Sequence, residues 1–108
     1  MKYTVIISRE AEKDLREIYE YIAFELQSPD NATGQLERLE KAILSLDEMP
    51  YRFREYNRKK WKKHRQYVMP VGNYCVFYVP DDDMERVTIT RVIYGARDLP
   101  KVLDGERK

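Results

Sequence analysis

The chain's 108 residues, 43% of them apolar by type, suffice for one hydrophobic core and not for two, so a single domain over 1–108, with 104–108 as a tail, is expected. Lys+Arg 20 against Asp+Glu 19 leave a net charge of +1, a balance that selects no class of partner. The lone cysteine excludes an intramolecular disulfide, no apolar run approaches the ~20 residues of a membrane span, and the start MKYTVIIS lacks the pattern of a signal peptide; the expected home is a reducing cytoplasm.

In chain order, Lys2 to Ile7 reads as a strand, with Val5-Ile6-Ile7 running too continuously apolar for a solvent-exposed edge. Ser8 then offers its hydroxyl as an N-cap, and Glu10 and Glu12 sit on the favourable end of the helix dipole. Ala11, Leu15, Ile18, Tyr19, Ile22 and Leu26 recur at three- and four-residue spacing, one face of a helix that should end near Gln27. Ser28-Pro29 starts a second helix, serine as cap and proline where its missing N–H is not needed. Its seam, Ala32, Leu36, Leu39, Ile43 and Leu46, should run to a stop at Met49-Pro50. Gly34 inside it marks either a close approach or a ragged start. So short a connection folds the two helices into an antiparallel hairpin.

Tyr51 to His64 shows no clean period. Between Arg52 and Arg65 lie eight basic residues against the single acid Glu55, leaving 12 basic and 18 acidic residues elsewhere. The molecule is therefore electrically polarised. Arg65 to Met69 reads as a strand, Pro70-Val71-Gly72-Asn73 as a turn, and Tyr74 to Val79 as a strand apolar on both faces. After a turn at Pro80-Asp81-Asp82-Asp83 comes the chain's best strand, Arg86 to Tyr94, rich in β-branched residues and placed centrally. Thr88, Thr90 and Arg91 interleave with Val87, Ile89 and Ile93, so part of one face should be polar. Gly95 breaks the strand and leaves Arg97 at its exit. The whole is an α+β domain ordered β-α-α-β-β-β, an antiparallel meander covered by a helical hairpin.

These features together resemble one family. The first strand, the helical hairpin, Arg65 followed by Val71-Gly72-Asn73-Tyr74-x-Val76-Phe77-Tyr78, the acidic turn and Val87-Thr88-Ile89-x-Arg91-Val92-Ile93-Tyr94-Gly95-Ala96-Arg97-Asp98 are similar to the RelE/ParE superfamily of toxins from bacterial type II toxin–antitoxin pairs. The resemblance implies a cognate antitoxin and one of two targets. RelE-like members are ribosome-dependent mRNA endoribonucleases that work without a metal; ParE-like members inhibit DNA gyrase and are not nucleases. The ending Ile93 to Asp98 is similar to the ParE type. RelE-like nucleases usually carry an arginine directly after the tyrosine that Tyr74 matches, and this chain has Cys75 there. Gyrase inhibition is the expectation, with RNA cleavage as the alternative. A non-toxic module that binds nucleic acid or an antitoxin is the reading from a different class.

Cleavage of RNA would need a proton acceptor, a proton donor and positive charge for the developing phosphorane. His64 is the candidate for acid–base chemistry and Tyr94 for a further hydroxyl, with Arg65 and Arg97 for fixed charge at the catalytic centre and Arg91 for binding phosphate. Plainer readings stand beside these: His64 as an exposed loop residue, Arg91 in a salt bridge to a helix carboxylate, Arg97 paired with Asp98. The run Arg58-Lys59-Lys60-Trp61-Lys62-Lys63 suits a nucleic-acid backbone with Trp61 stacked on a base, or an acidic antitoxin segment, or a solvated loop. Asp81-Asp82-Asp83 point in different directions, so no metal or other cofactor is expected. Cys75, inside a buried strand, behaves as a small apolar residue. Tyr21 and Phe24 lie off the main helical stripe and suggest a groove for an antitoxin helix.

Overall fold

The computed structural model describes residues 2–56 and 65–95. Ser8 caps the first helix as its chemistry dictates, its hydroxyl accepting from the Ala11 N–H at 3.1 Å. From there α1 (Arg9–Glu20) passes without a break into a wider π-helical turn, Tyr21–Glu25. Gln27, at φ 51°, ends the run near the position that its periodicity predicts. The second helix, α2, spans Pro29–Leu44 with the proline in its first turn. Ser28 does not cap it; its hydroxyl instead accepts from the Asn31 amide at 2.6 Å. Gly34 has room for a β-carbon, whose nearest neighbour would be Arg38 Nη1 at 3.8 Å, so neither a close approach nor a frayed start accounts for it.

The second helix stops sooner than Met49-Pro50. At its C-terminus the chain tightens into short 3-10 turns at Ser45–Asp47 and Pro50–Arg52. Arg52 braces this segment: its guanidinium donates to the Glu48 carbonyl at 2.6 Å and to the Met49 carbonyl at 3.2 Å.

The strands are β1 (Thr4–Ile7), β2 (Arg54–Tyr56), β3 (Gln66–Val71), β4 (Tyr74–Asp81) and β5 (Arg86–Tyr94). They form one sheet in the order β1-β5-β4-β3-β2. The expected meander is there in β3, β4 and β5, antiparallel throughout. Two features correct the sequence reading. β2, from the segment without a clean period, adds a short strand beside β3. β1 runs parallel to β5, making the sheet mixed, and lies at its edge with Ile6 39% and Ile7 38% exposed. Continuous apolarity had argued for an interior strand, but only the face carrying Val5 packs on the core.

β3 and β4 are joined at Gly72-Asn73 alone, with Pro70 and Val71 inside β3. Gly72 has φ 59° and Asn73 is not left-handed, the pattern of a II′ hairpin turn. Pro70 is tolerated in β3 because β2 covers that strand only up to Val68, so no partner needs its missing N–H. The core between helices and sheet is built from Leu15, Leu39, Ile43, Leu46, Val76, Tyr78, Val87 and Ile89. A smaller cluster, Val68, Cys75, Phe77 and Ile93, lies apart from it. Burial pushes the Cys75 thiol up from its ordinary value, which disfavours the reactive thiolate and fits a packing role.

Asp82, in the turn after β4, accepts from the phenols of Tyr51 and Tyr3, each at 2.7 Å. These hydrogen bonds hold its carboxyl below the usual 3.8. A carboxylate with a depressed native pKa contributes stability above its unfolded value and loses it as pH falls through the native one. Asp82→Asn is therefore expected to lower stability at neutral pH and to flatten its pH dependence below about pH 4. Urea titrations of both proteins from pH 7 to pH 2 would check this; parallel curves would contradict it.

Candidate functional site

β1 covers β5 only as far as the pair Ile7 and Ile89. Immediately beyond, the register between β4 and β5 shifts: Phe77 faces Arg91 while Tyr78 faces Ile89, so Thr90 is the extra residue of a β-bulge. Its hydroxyl donates to the Phe77 carbonyl at 3.1 Å and its carbonyl accepts from Ser8 Oγ at 3.2 Å. The bulge breaks strict alternation, so Val92 joins Val87 and Ile89 in the main core while Ile93 joins the smaller cluster. Face assignment by odd and even positions therefore fails across Thr90.

Past the bulge, α1 takes the place of a neighbouring strand. Asp14, only 9% exposed, receives Arg91 through Nε at 2.7 Å and Nη2 at 3.0 Å, and the Val92 N–H at 2.9 Å. A two-pronged guanidinium contact and a backbone amide thus converge on one carboxylate. Asp14 is the residue that the sequence reading missed. Its signal was an acid standing on the apolar face between Ala11 and Ile18, opposite a strand arginine.

Above this contact opens a cavity of about 790 Å³ between the helical hairpin and the ends of β4 and β5. One wall carries Tyr21, Ile22 and Leu26; the other carries Tyr74 and Tyr94; Glu17, Asn31, Gln35 and Arg38 supply polar groups. Tyr21 is 56% and Tyr94 68% exposed, and the Tyr94 ring stands edge-on to Tyr74 at 5.3 Å. Burial pushes the Tyr74 phenol up, so it is a hydrogen-bond donor rather than a base at neutral pH. The π turn bears Tyr21 into this groove, and such turns are frequent at functional sites. Phe24, though 71% exposed, is not part of the lining.

Of the residues singled out in the sequence, Arg91 makes the salt bridge to a helix carboxylate. Tyr94 stands on the groove wall. Gly95, at φ 80°, terminates β5 and donates its N–H to the Asn73 carbonyl at 2.8 Å. Arg65 is exposed and 3.6 Å from Glu55, a weak surface pair. The register sets it at the opposite end of the sheet from Tyr94, roughly 20 Å away at strand rise. Arg58, Lys59, Lys60, Trp61, Lys62, Lys63, His64 and Arg97 lie outside the described residues.

Residues 5–99 match the family described as the ParE toxin of the type II toxin–antitoxin system, parDE. Among solved structures, the chain is similar to the chromosomal ParDE system from P. aeruginosa, with 14% identity over 88% of this chain and 98% of that one, TM-score 0.69. It is also similar to the archaeal RelE–RelB complex from Pyrococcus horikoshii, with 17% identity over 90% and 99% of the two chains, TM-score 0.64. For the RelBE2 toxin–antitoxin complex from Mycobacterium tuberculosis the identity is 23% over 87% and 92%, TM-score 0.61. At such identities the likeness is one of fold. No curated protein matches the sequence.

Proposed function

We propose, from the premise that this chain belongs to the ParE toxin family of type II toxin–antitoxin systems, that it acts on DNA gyrase and is silenced by a cognate antitoxin seated in the groove. The chain is a toxin of such a system; the target is the proposal. The observation that carries it is the family match itself, which runs from β1 past the end of β5 and is to the ParE type. Two features of the site support it. Cys75 stands where RelE-like nucleases usually carry an arginine, and it is buried. Arg91, the strand arginine suited to phosphate, already has its fork filled by Asp14.

For the antitoxin, the groove offers what an amphipathic helix requires: exposed aromatic side chains and an apolar wall of Ile22 and Leu26, with polar groups around them. No helix among the described residues is long and apolar enough to cross a membrane, and we place the toxin in the cytoplasm with gyrase.

Purified protein is expected to block supercoiling by gyrase and to leave mRNA intact on programmed ribosomes. Cleaved mRNA with untouched supercoiling would replace this reading with the RelE-like one. Induced alone in a bacterial host, the chain is expected to arrest growth, with rescue by the gene beside its own. Normal growth with folded protein would leave only a binding module.

A further inference from the structure

We infer that Asp14 is a positioning residue: from beneath the groove, its carboxylate fixes the distance between the two walls. Among the described residues, the last part of β5, from Thr90 to Tyr94, has no strand on the side that β1 covers up to Ile89. A strand end left so would carry an orphan Val92 N–H and would be tied to α1 by apolar packing alone, which resists sliding poorly. Ser8 fastens the near end, its N–H to the Ile89 carbonyl at 2.9 Å and its hydroxyl to the Thr90 carbonyl. Asp14, almost two turns further along α1, fastens the far end through Val92 and Arg91.

Those two attachments hold helix and strand in one register. Both walls of the groove then follow from it. Seven residues beyond Asp14, the π turn that continues α1 delivers Tyr21; two residues beyond Val92, β5 delivers Tyr94, which Gly95 anchors from the other side through Asn73. Asp14 and Arg91 line the bottom of the cavity. A carboxylate that made only a stabilising ion pair could stand at any position of α1 within reach of Arg91. This one takes a backbone amide as well, so it sets the position of the strand and not merely the charge balance.

The functional consequence rests on the groove being the antitoxin's seat, but the positioning itself is measurable without any partner. Spin labels on cysteines replacing Phe24 and Tyr94, both exposed in the native chain, with Cys75→Ala to remove the native thiol, report the spacing between the π turn that carries one wall and the end of β5 that carries the other. The native background is expected to give one narrow distance distribution. Asp14→Ala is expected to broaden and lengthen it while the circular dichroism stays that of a folded protein. An unchanged distribution in the folded variant overturns the inference, whatever happens to its stability. Should Asp14→Ala not fold, hydrogen exchange in the unaltered protein decides: the Val92 amide is expected to exchange as slowly as that of Ile89, and exchange at the rate of an exposed amide overturns the proposal. If the antitoxin occupies the groove, folded Asp14→Ala is expected to release the antitoxin encoded beside it at least tenfold faster, in line with loss of a charged hydrogen bond. A widened groove with unchanged release would uphold the positioning and refute the seat.

Discussion

Asp14→Ala is expected to lower the free energy of unfolding by about 3 kcal/mol, the low end of what is lost when one partner of a buried ion pair is removed. Two costs add here. The Arg91 side chain, 22% exposed, loses a two-pronged carboxylate contact, and the Val92 N–H loses its acceptor in a place where water cannot freely replace it. Partial exposure of the arginine is why the low end applies. Urea unfolding at neutral pH measures the change directly. The pair Asp14→Ala with Arg91→Met should recover part of the loss, because no charge is then left behind; only the backbone amide stays unsatisfied. A single-variant loss below about 1 kcal/mol, the worth of an ordinary surface pair, would mean that the contact is solvated in practice.

The other large effect lies at Tyr78, fully buried in the middle of the sheet. Its ring stacks on Tyr67 at 5.8 Å, and its hydroxyl donates to the Pro50 carbonyl at 2.5 Å. Tyr78→Ala should cost about 4 kcal/mol, from lost burial and the cavity left behind. Tyr78→Phe keeps the ring and strands the Pro50 carbonyl, so about 1–2 kcal/mol is expected from it. The difference between the two separates packing from the hydrogen bond that ties β4 to the turn after α2. Burial also pushes the Tyr78 phenol well above its ordinary value of 10.0. A group with a raised native pKa contributes its stability fully below the unfolded value and loses it as pH rises toward the native one. Native protein should therefore lose stability above about pH 10 more steeply than Tyr78→Phe. Identical alkaline limbs would show that this phenol does not govern them.

Much of this was readable in the chain. Ser8 announced a cap because a hydroxyl before an apolar-periodic run has amides to accept from. Pro70-Val71-Gly72-Asn73 between two β-rich runs announced a hairpin, two residues wider than the turn that forms, and Gly95 the end of β5, since Gly72 and Gly95 take a backbone conformation that side chains resist. The family resemblance was carried by the same local features in their order. Less readable were β2, three residues whose pairing is all that makes them a strand, and β1's place at the edge. Four apolar residues in a row look alike at an edge and in an interior.

The two helices, the four longer strands and their assembly as an α+β domain were written in the chain, because caps, turns and periodicity act over a few residues. That β2 is a strand at all, that β1 pairs in parallel, that Thr90 bulges and that Asp14 meets Arg91 across 77 positions of chain emerge only on folding. Those outcomes depend on contacts between distant residues, for which a local pattern carries no signal. Position 91 illustrates the division. In the chain it offered phosphate binding and a salt bridge equally, and a one-residue shift in strand register together with one helix carboxylate brought its guanidinium to Asp14.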